Sequence, residues 1–583
     1  MGDIVGAVRR MARRFVQHPY PKAPHPSWVV RRWPGLAGMW GAALFFWLSL
    51  TPSLVPRPWV LQGVIGGITA AIGYAIGSLA WWLVRLALRW ALRKPWRAPH
   101  RLRARAWLAS YALSVVLTIA ALSWSADAQR ALRRLQGLPE TLTWHSLVIT
   151  LMAMGICGVL VGLARCVRLG TRRLIRVLGR YVPRPVAIAA GLAISGTLVA
   201  FGTRDVVFER GVIDVAAHFA EITDQGTKDG ITQPGSRQVS GSPHSLIRWD
   251  ELGFEGRNFT GSSLTARQIS SVTRRPAQQP VRVYVGRESA DSYAAGARLA
   301  VRELERTGAF RRSVLAVAGT TGRGWVNSTD AEPLEYLWGG DTAIVAMQYS
   351  YLPSWASFLV DKEQAGRATR ALVHAVRERW LQEPPQHRPR LLVFGESLGA
   401  YGIESAFDGP DDMLAKVDGA LLAGTPNFSP IRKELTDRRD AGSPVWRPLY
   451  RQGRNFRFAQ WPEKDFSRPG PWATTWKHPR VAYLQNASDA IVWWSWDLAL
   501  HRPEWLRKPL GPDITDGVDW FPLVTFWQTS VDMAMSYGVD APHGHRYGNG
   551  SVDGWLAVAR PEGWTAKDTS RLRRHMAQRE APY

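Results

Sequence analysis

Cysteine is almost missing from this chain. Its 583 residues include two, Cys157 and Cys166, so everything after residue 166 lacks a thiol. That excludes a disulfide framework and a cysteine metal site from the larger part of the chain. It also leaves the redox compartment unread. Acidic charge is scarce too: 47 Asp and Glu stand against 73 Lys and Arg, for a formal net charge of +26. Such a surplus invites a nucleic-acid reading. The placement of the cations argues against it, because no basic stripe interleaved with aromatics marks a nucleic-acid face. The third absence is charge inside five apolar runs: Leu36–Val55, Trp59–Val84, Trp107–Ser125, Leu147–Ala164 and Val186–Phe201.

Each run approaches the ~20 residues that a helix needs to cross a bilayer core. Five in succession are too many for buried helices of a soluble domain. The first is not a secretory signal, since it is too long, lacks a small-residue cleavage site and is followed by further runs. Gly63, Gly66, Gly67, Gly73 and Gly77 in the second run suit close helix packing in lipid.

The cations lie between the runs, and they alternate. Arg9, Arg10, Arg13, Arg14, Lys22, Arg31 and Arg32 precede the first. Arg85, Arg89, Arg93, Lys94, Arg97, Arg101, Arg103 and Arg105 follow the second. Arg165, Arg168, Arg172, Arg173, Arg176, Arg180 and Arg184 follow the fourth. The other two connections carry only Arg57, and Arg130, Arg133 and Arg134. The positive-inside rule then sets the N-terminus in the cytoplasm. Five crossings leave the remaining chain outside it. Membrane lipids are the expected partner, with the cytoplasmic arginines able to meet anionic headgroups. The proline-dense turn Ser49–Pro58 either ends a helix or contacts the outer domain, and the sequence leaves both open.

The expected organisation is a basic cytoplasmic segment at 1–34, a transmembrane helical domain at 35–205, a linker and packing segment at 206–280, and a C-terminal domain at 281–583. In the linker, 226–241 is rich in Gly, Ser, Thr and Gln and reads as loop. Leu252–Phe259 reads as a glycine-punctuated aromatic turn that packs onto the later domain. From Val281 onward strands and helices alternate. Strands are expected at Val281–Val285, Ser313–Ala318, Thr342–Met347, Leu391–Phe394, Val417–Ala423 and Arg480–Leu484. Helices are expected at Ser289–Thr307, at Lys362–Leu381 and from Leu398. Strict alternation implies a mostly parallel sheet covered on both faces. Its functional edge lies at the carboxyl ends of the strands.

One strand breaks sharply at a serine: Gly395-Glu396-Ser397-Leu398-Gly399 is the G-x-S-x-G pattern of a nucleophile elbow. A strained turn lifts the hydroxyl above the sheet, and flanking glycines let neighbouring backbone pass close by. A serine nucleophile needs a base, and the base an orienting acid. Asp489, just past the strand ending at Leu484, is the candidate acid, with Asp497 as runner-up inside an expected helix. The base comes from Ala541-Pro542-His543-Gly544-His545. His545 is preferred because the preceding glycine frees the backbone to aim the ring, and His543 is the alternative. The oxyanion needs two backbone donors. Leu398 N–H supplies one, and the loop Ala318–Trp325 the other, through Thr320 or Thr321. That loop lacks the G-K-[ST] ending of a phosphate cradle. No further His or Cys cluster completes a zinc shell. No cofactor and no metal are expected.

These stretches resemble the bacterial membrane-anchored α/β-hydrolase family, in Ser49–Pro58, Gly253–Phe259, Gly319–Trp325, the elbow, Gln485–Trp494 and His543–Tyr547. The resemblance implies an all-α transmembrane bundle of about five helices, followed by an α/β-hydrolase domain with a mostly parallel sheet and a cap insertion at about 427–479. It implies a Ser397, Asp489, His545 triad in that chain order, and no particular substrate. In the family the two histidines are commonly preceded by glycine, whereas here Pro542 precedes His543. The insertion carries Phe428, Trp446, Tyr450, Phe456, Phe458, Trp461, Phe466, Trp472 and Trp476. A second aromatic region spans Trp493, Trp494, Trp496, Trp505, Trp520, Phe521, Phe526 and Trp527. Both are either core or an apolar acyl pocket and membrane-resting surface. The expected function is a membrane-anchored serine hydrolase acting on a lipid or other apolar acyl ester. An acyltransferase using the same triad is the near alternative. A membrane scaffold or transport protein with an inactive hydrolase-like domain is the distant one, and it is disfavoured because the apolar runs lack the intramembrane charges that mark transport pathways.

Overall fold

The computed structural model describes residues 35–91, 99–214, 223–466 and 474–579, with the isolated residues 16, 218 and 221. The basic segment 1–34 otherwise lies outside the described residues, as do Arg93, Lys94, Arg97 and Trp472. The chain forms two compact units. One takes the chain up to residue 207 together with 496–506 and 514–535, and the other takes 208–495, 507–513 and 536–583. The chain therefore returns to the first unit twice, which a division at residue 281 does not capture.

In the helical unit, four helices are long and apolar enough to cross a membrane: Trp59–Ala91, His100–Leu135, Ser146–Leu178 and Arg184–Phe201. The run expected to span over Leu36–Val55 is helical only from Leu36 to Ser49, 14 residues. At ~1.5 Å per residue that is about 21 Å, short of a ~30 Å hydrocarbon core. Pro52, Pro56 and Pro58 explain the stop, since proline removes a donor and blocks helix continuation. Glycines set the packing. A Cβ on Gly41 would sit 2.2 Å from Gly73 O, and one on Gly67 would sit 2.6 Å from Ile156 Cβ. The turn between the first two helices is buried. Leu50 O accepts Ser125 Oγ at 2.7 Å, Leu54 O accepts Gln136 Nε2 at 2.7 Å, and Arg57 Nη2 donates to Thr51 O at 2.7 Å. The turn also receives the helix Val524–Met535, whose Asp532 accepts from Ser53 Oγ at 2.9 Å and from Leu54 N–H at 3.0 Å.

The second unit is built on seven strands: β1 Val281–Val285, β2 Val314–Gly319, β3 Thr342–Met347, β4 Arg390–Glu396, β5 Gly419–Ala423, β6 Phe456–Ala459 and β7 Arg480–Leu484. Every pairing is parallel, in the order β1-β3-β2-β4-β5-β7-β6. The strands are mostly apolar and almost wholly buried, as is usual for parallel sheets covered on both faces. β6 lies within 427–479 and was not expected. It adds the far edge strand, and Phe458 stacks on Tyr483 of β7 with centroids 4.4 Å apart. Tyr450, Phe456, Phe458 and Trp476 belong to the sheet core, so for these aromatics the core reading holds. Trp496 and Phe526 stack within the helical unit instead.

Gly253–Gly261 is a helix, not the expected turn. A Cβ on Gly256 would meet the Tyr284 ring at 2.5 Å. Packing on β1 therefore overrides glycine's poor helix propensity. Arg282 closes the helix's C-terminal end by donating from Nη1 to Phe259 O at 2.7 Å, and it grips Glu335 through Nε–Oε1 and Nη2–Oε2, each 2.7 Å. Both side chains are buried. Removing one partner of a buried pair strands the other charge, at roughly 3–5 kcal/mol. Glu335→Ala is expected to lose that much stability in urea unfolding followed by tryptophan fluorescence. A midpoint equal to wild type would show the pair to be dispensable.

Candidate active site

Ser397 follows β4 and opens the helix Leu398–Glu404 with φ 55° and ψ −123°. Positive φ is costly for a residue with a Cβ. Three features hold it there. Its N–H donates to Ala423 O at the end of β5, at 2.9 Å. A Cβ on Gly395 would lie 2.5 Å from Gly399 C. Cβ atoms on Gly319 and Gly399 would lie 2.1 Å and 2.2 Å from the opposite residue's carbonyl oxygen. The loop after β2 therefore presses directly on the first turn of the elbow helix. Any side chain at these three glycines would push the elbow off the sheet.

Asp489 stands after β7 and caps a short helix, its Oδ1 accepting Ile491 N–H at 2.9 Å. Its Oδ2 meets His545 Nδ1 at 2.6 Å and accepts Tyr547 Oη at 2.5 Å. Asp489 and His545 are both fully buried. The ring lies beside the elbow. A Cβ on Gly424, the residue after Ala423, would sit 2.4 Å from His545 Cε1. Nε2 is 3.9 Å from Oε1 of Glu396, the residue preceding Ser397. It has no hydrogen-bond partner among the described residues. Burial pulls the imidazole pKa down, but Asp489 and then Glu396 pull it up, and the net direction is upward. Burial and Asp489 also push the Tyr547 phenol well above its usual range, so it stays a donor to the carboxylate.

The other candidates are placed apart from this pair. His543 Nδ1 lies 3.0 Å from Asp513 Oδ2, and Asp513 also accepts Ser488 Oγ at 2.5 Å. Asp497 lies in the 3-10 turn Trp496–Ala499, which belongs to the helical unit. Of the two oxyanion candidates after β2, Thr321 has its N–H committed to Trp325 O at 3.1 Å. The N–H groups of Thr320 and Leu398 have no acceptor among the described residues.

Sequence reasoning missed three polar neighbours. Tyr547 sat in the histidine stretch but was not assigned a role. Glu396 occupied a variable position of the elbow pattern, which gives no hint of function. Asp330, in the helix Ser328–Leu337, carries no motif at all. Asn327 Nδ2 donates to Glu396 Oε2 at 2.6 Å. Asp330 is buried near the same carboxylate, and desolvation followed by repulsion from Glu396 pushes its pKa well above the carboxylate range.

The all-parallel seven-stranded sheet is consistent with the families that the chain matches. A family model described as "Alpha/beta-hydrolase family" matches residues 281–572, and one described as "Alpha/beta-hydrolase family N-terminus" matches residues 50–263. The chain belongs to the alpha/beta-hydrolase family. Neither the curated proteins nor the solved structures contain a match. Membership carries the hydrolase fold and leaves the chemistry to the residues above.

The glycine contact sets an expectation. Gly399→Ala forces the elbow helix away from Gly319. Overpacking typically costs about 1–3 kcal/mol and occasionally more. A thermal midpoint unchanged from wild type would show that the two backbones can separate freely.

Proposed function

We propose that the protein is a membrane-anchored serine hydrolase with Ser397 as nucleophile, His545 as base and Asp489 as orienting acid. The observation that carries this is the fully buried Asp489–His545 pair at 2.6 Å, with Nε2 left without a hydrogen bond 3.9 Å from Glu396, the residue before a serine held at positive φ. Ser397 Oγ attacks the ester carbonyl carbon and its proton passes to His545 Nε2. Asp489 stabilises the imidazolium through Nδ1–H. The oxyanion accepts from the N–H groups of Leu398 and Thr320. Collapse expels the alcohol, which takes the proton from His545. Water, deprotonated by the same nitrogen, then attacks the acyl-enzyme and releases the acid. An alcohol in place of water gives acyl transfer with the same groups. An inactive scaffold has no use for a strained serine, which argues for a working site.

The substrate proposed is a lipid or other apolar acyl ester, supported by four membrane-length helices in the same chain. The side proposed for the domain is extracytoplasmic. Charge alternation supports this.

A membrane-impermeant fluorophosphonate applied to intact cells tests catalysis and side together. Labelling is expected in wild type and absent in Ser397→Ala, with His545→Ala reduced by about 10³-fold or more. Labelling only after lysis would overturn the side, and no labelling of folded protein under either condition would overturn the serine hydrolase. Purified wild type is expected to release fatty acid from lipid extracts, and cleavage confined to short soluble esters would overturn the substrate class.

The base works as neutral imidazole. A raised His545 pKa therefore places the acidic limb of the rate profile above the ordinary imidazole value of 6.5, with activity rising as pH passes it. Glu396 contributes to that shift, alongside Asp489, while the Tyr537 and Tyr547 rings pack on the imidazole. Glu396→Gln is expected to move the limb to lower pH. A limb that stays in place would remove Glu396 from the base's environment.

A further inference from the structure

The helix Gly253–Gly261 precedes the sheet in the chain, yet it reaches the loop after β2, and both lie in the sheet unit. Two successive loop residues make the contact. Arg323 Nε donates to Glu255 Oε1 at 2.8 Å, and the guanidinium carbon lies 4.7 Å from the centre of the Phe254 ring. Gly324 O accepts Tyr284 Oη at 2.7 Å. The same tyrosine ring packs on the helix at Gly256. Gly324 has φ 102°, and a Cβ there would lie 2.1 Å from Tyr284 Oη, so the loop already sits as close as its backbone allows.

The helix is a firm base for this grip. At its start Phe254 N–H donates to Asp224 Oδ1 at 3.0 Å, and near its end Arg282 holds Phe259 O. The loop in turn moves as one piece. Thr321 and Trp325 each donate an N–H to the other's carbonyl oxygen at 3.1 Å, and Gly324 N–H donates to Thr321 O at 2.8 Å. Arg323 lies inside this closed turn, three positions after Thr320. On the other side Thr320 Oγ1 donates to Met347 O at the end of β3, at 2.8 Å. The direction of the Thr320 N–H is therefore set by strand ends on one side and by the gripped turn on the other.

We infer that Glu255 and Arg323 are positioning residues for the Thr320 oxyanion donor, so that the segment ahead of the sheet belongs to the catalytic apparatus. This rests on the serine-hydrolase reading, with Thr320 N–H as the second donor. Removing one oxyanion donor outright costs about 10²- to 10³-fold in rate, and a misplacement of ~1 Å can cost on the order of 10²-fold. The loss falls on the transition state, where the oxyanion exists, and not on ground-state binding. His545 and Asp489 take no part in the contact, so the protonation of the base is untouched by it.

The test uses full-length protein in lipid nanodiscs and resolves fluorophosphonate inactivation into kinact and KI across a pH series. Arg323→Met is expected to lower kinact by ~10- to 100-fold, with KI and the acidic limb of the profile unchanged, and Arg323→Lys to restore part of the loss. Should Arg323→Met fail to fold because Glu255 is buried without its cation, adding Glu255→Gln removes that charge, and the double variant is expected to show the same loss in kinact. Wild-type kinact in either folded variant would overturn the inference. So would equal losses in kinact and KI, or a displaced acidic limb, which would trace the defect to the histidine instead. A folded wild type that never labels would overturn the serine-hydrolase reading, and this inference with it.

Discussion

Gly319 at the end of β2 and Gly399 in the first turn of the elbow helix lie so close that neither has room for a methyl group. That approach fixes three things at once. It presses the elbow helix onto the sheet, so that Ser397 is kept at a φ its side chain disfavours. It places the Thr320 backbone next to the start of the same helix. It also orients the helix so that its first N–H groups, those of Leu398 and its neighbours, point outward, as at any helix N-terminus. An elbow of this kind stores strain, and strain persists only where the surroundings over-determine it. Here the β5 carbonyl of Ala423 and the glycine contact do so together.

Around this rigid centre the charges are arranged by burial rather than by exposure. Asp489 has its oxygens occupied by two backbone N–H groups, a phenol and an imidazole. Asp330 is placed differently: burial, and then the nearby Glu396, push its pKa well above the carboxylate range. Arg282–Glu335 and Arg57–Asp532 are buried pairs of another sort, each tying a segment that lacks a strong structural preference of its own. Arg282 secures a glycine-rich helix, and Arg57 a proline-rich turn.

The chain is not divided between its two units at a single point. The helical unit contains twenty-two residues of chain drawn from just before the histidine loop. The residues on either side of that excursion hold His543 and His545.

Much of this was legible in the sequence. Runs rich in β-branched residues, alanine and leucine gave six of the seven strands, because a strand buried on both faces is mostly apolar, Arg282 being tolerated in β1 through its pairing with Glu335. The elbow was legible because glycine at both flanks has a steric cause that few other contexts share. Asp489 and His545 were legible because their positions after a late strand and after a glycine limit what else they could be. β6 was not, because Phe456–Ala459 sits among prolines and aromatics and is a strand only by virtue of pairing with β7. Leu252–Phe259 read as a turn because glycine propensity is local, while its packing on Tyr284 is not. The proline-dense turn could be read either way; it ends the first helix at Ser49 and also receives Asp532, far along the chain but within the same unit. The sequence by itself thus determined what depends on local sterics and on burial along one segment: four of the long apolar helices, the parallel sheet, the serine at its bend. Tertiary structure alone decided what depends on pairing distant residues: which threonine keeps a free N–H, and which carboxylate faces which histidine.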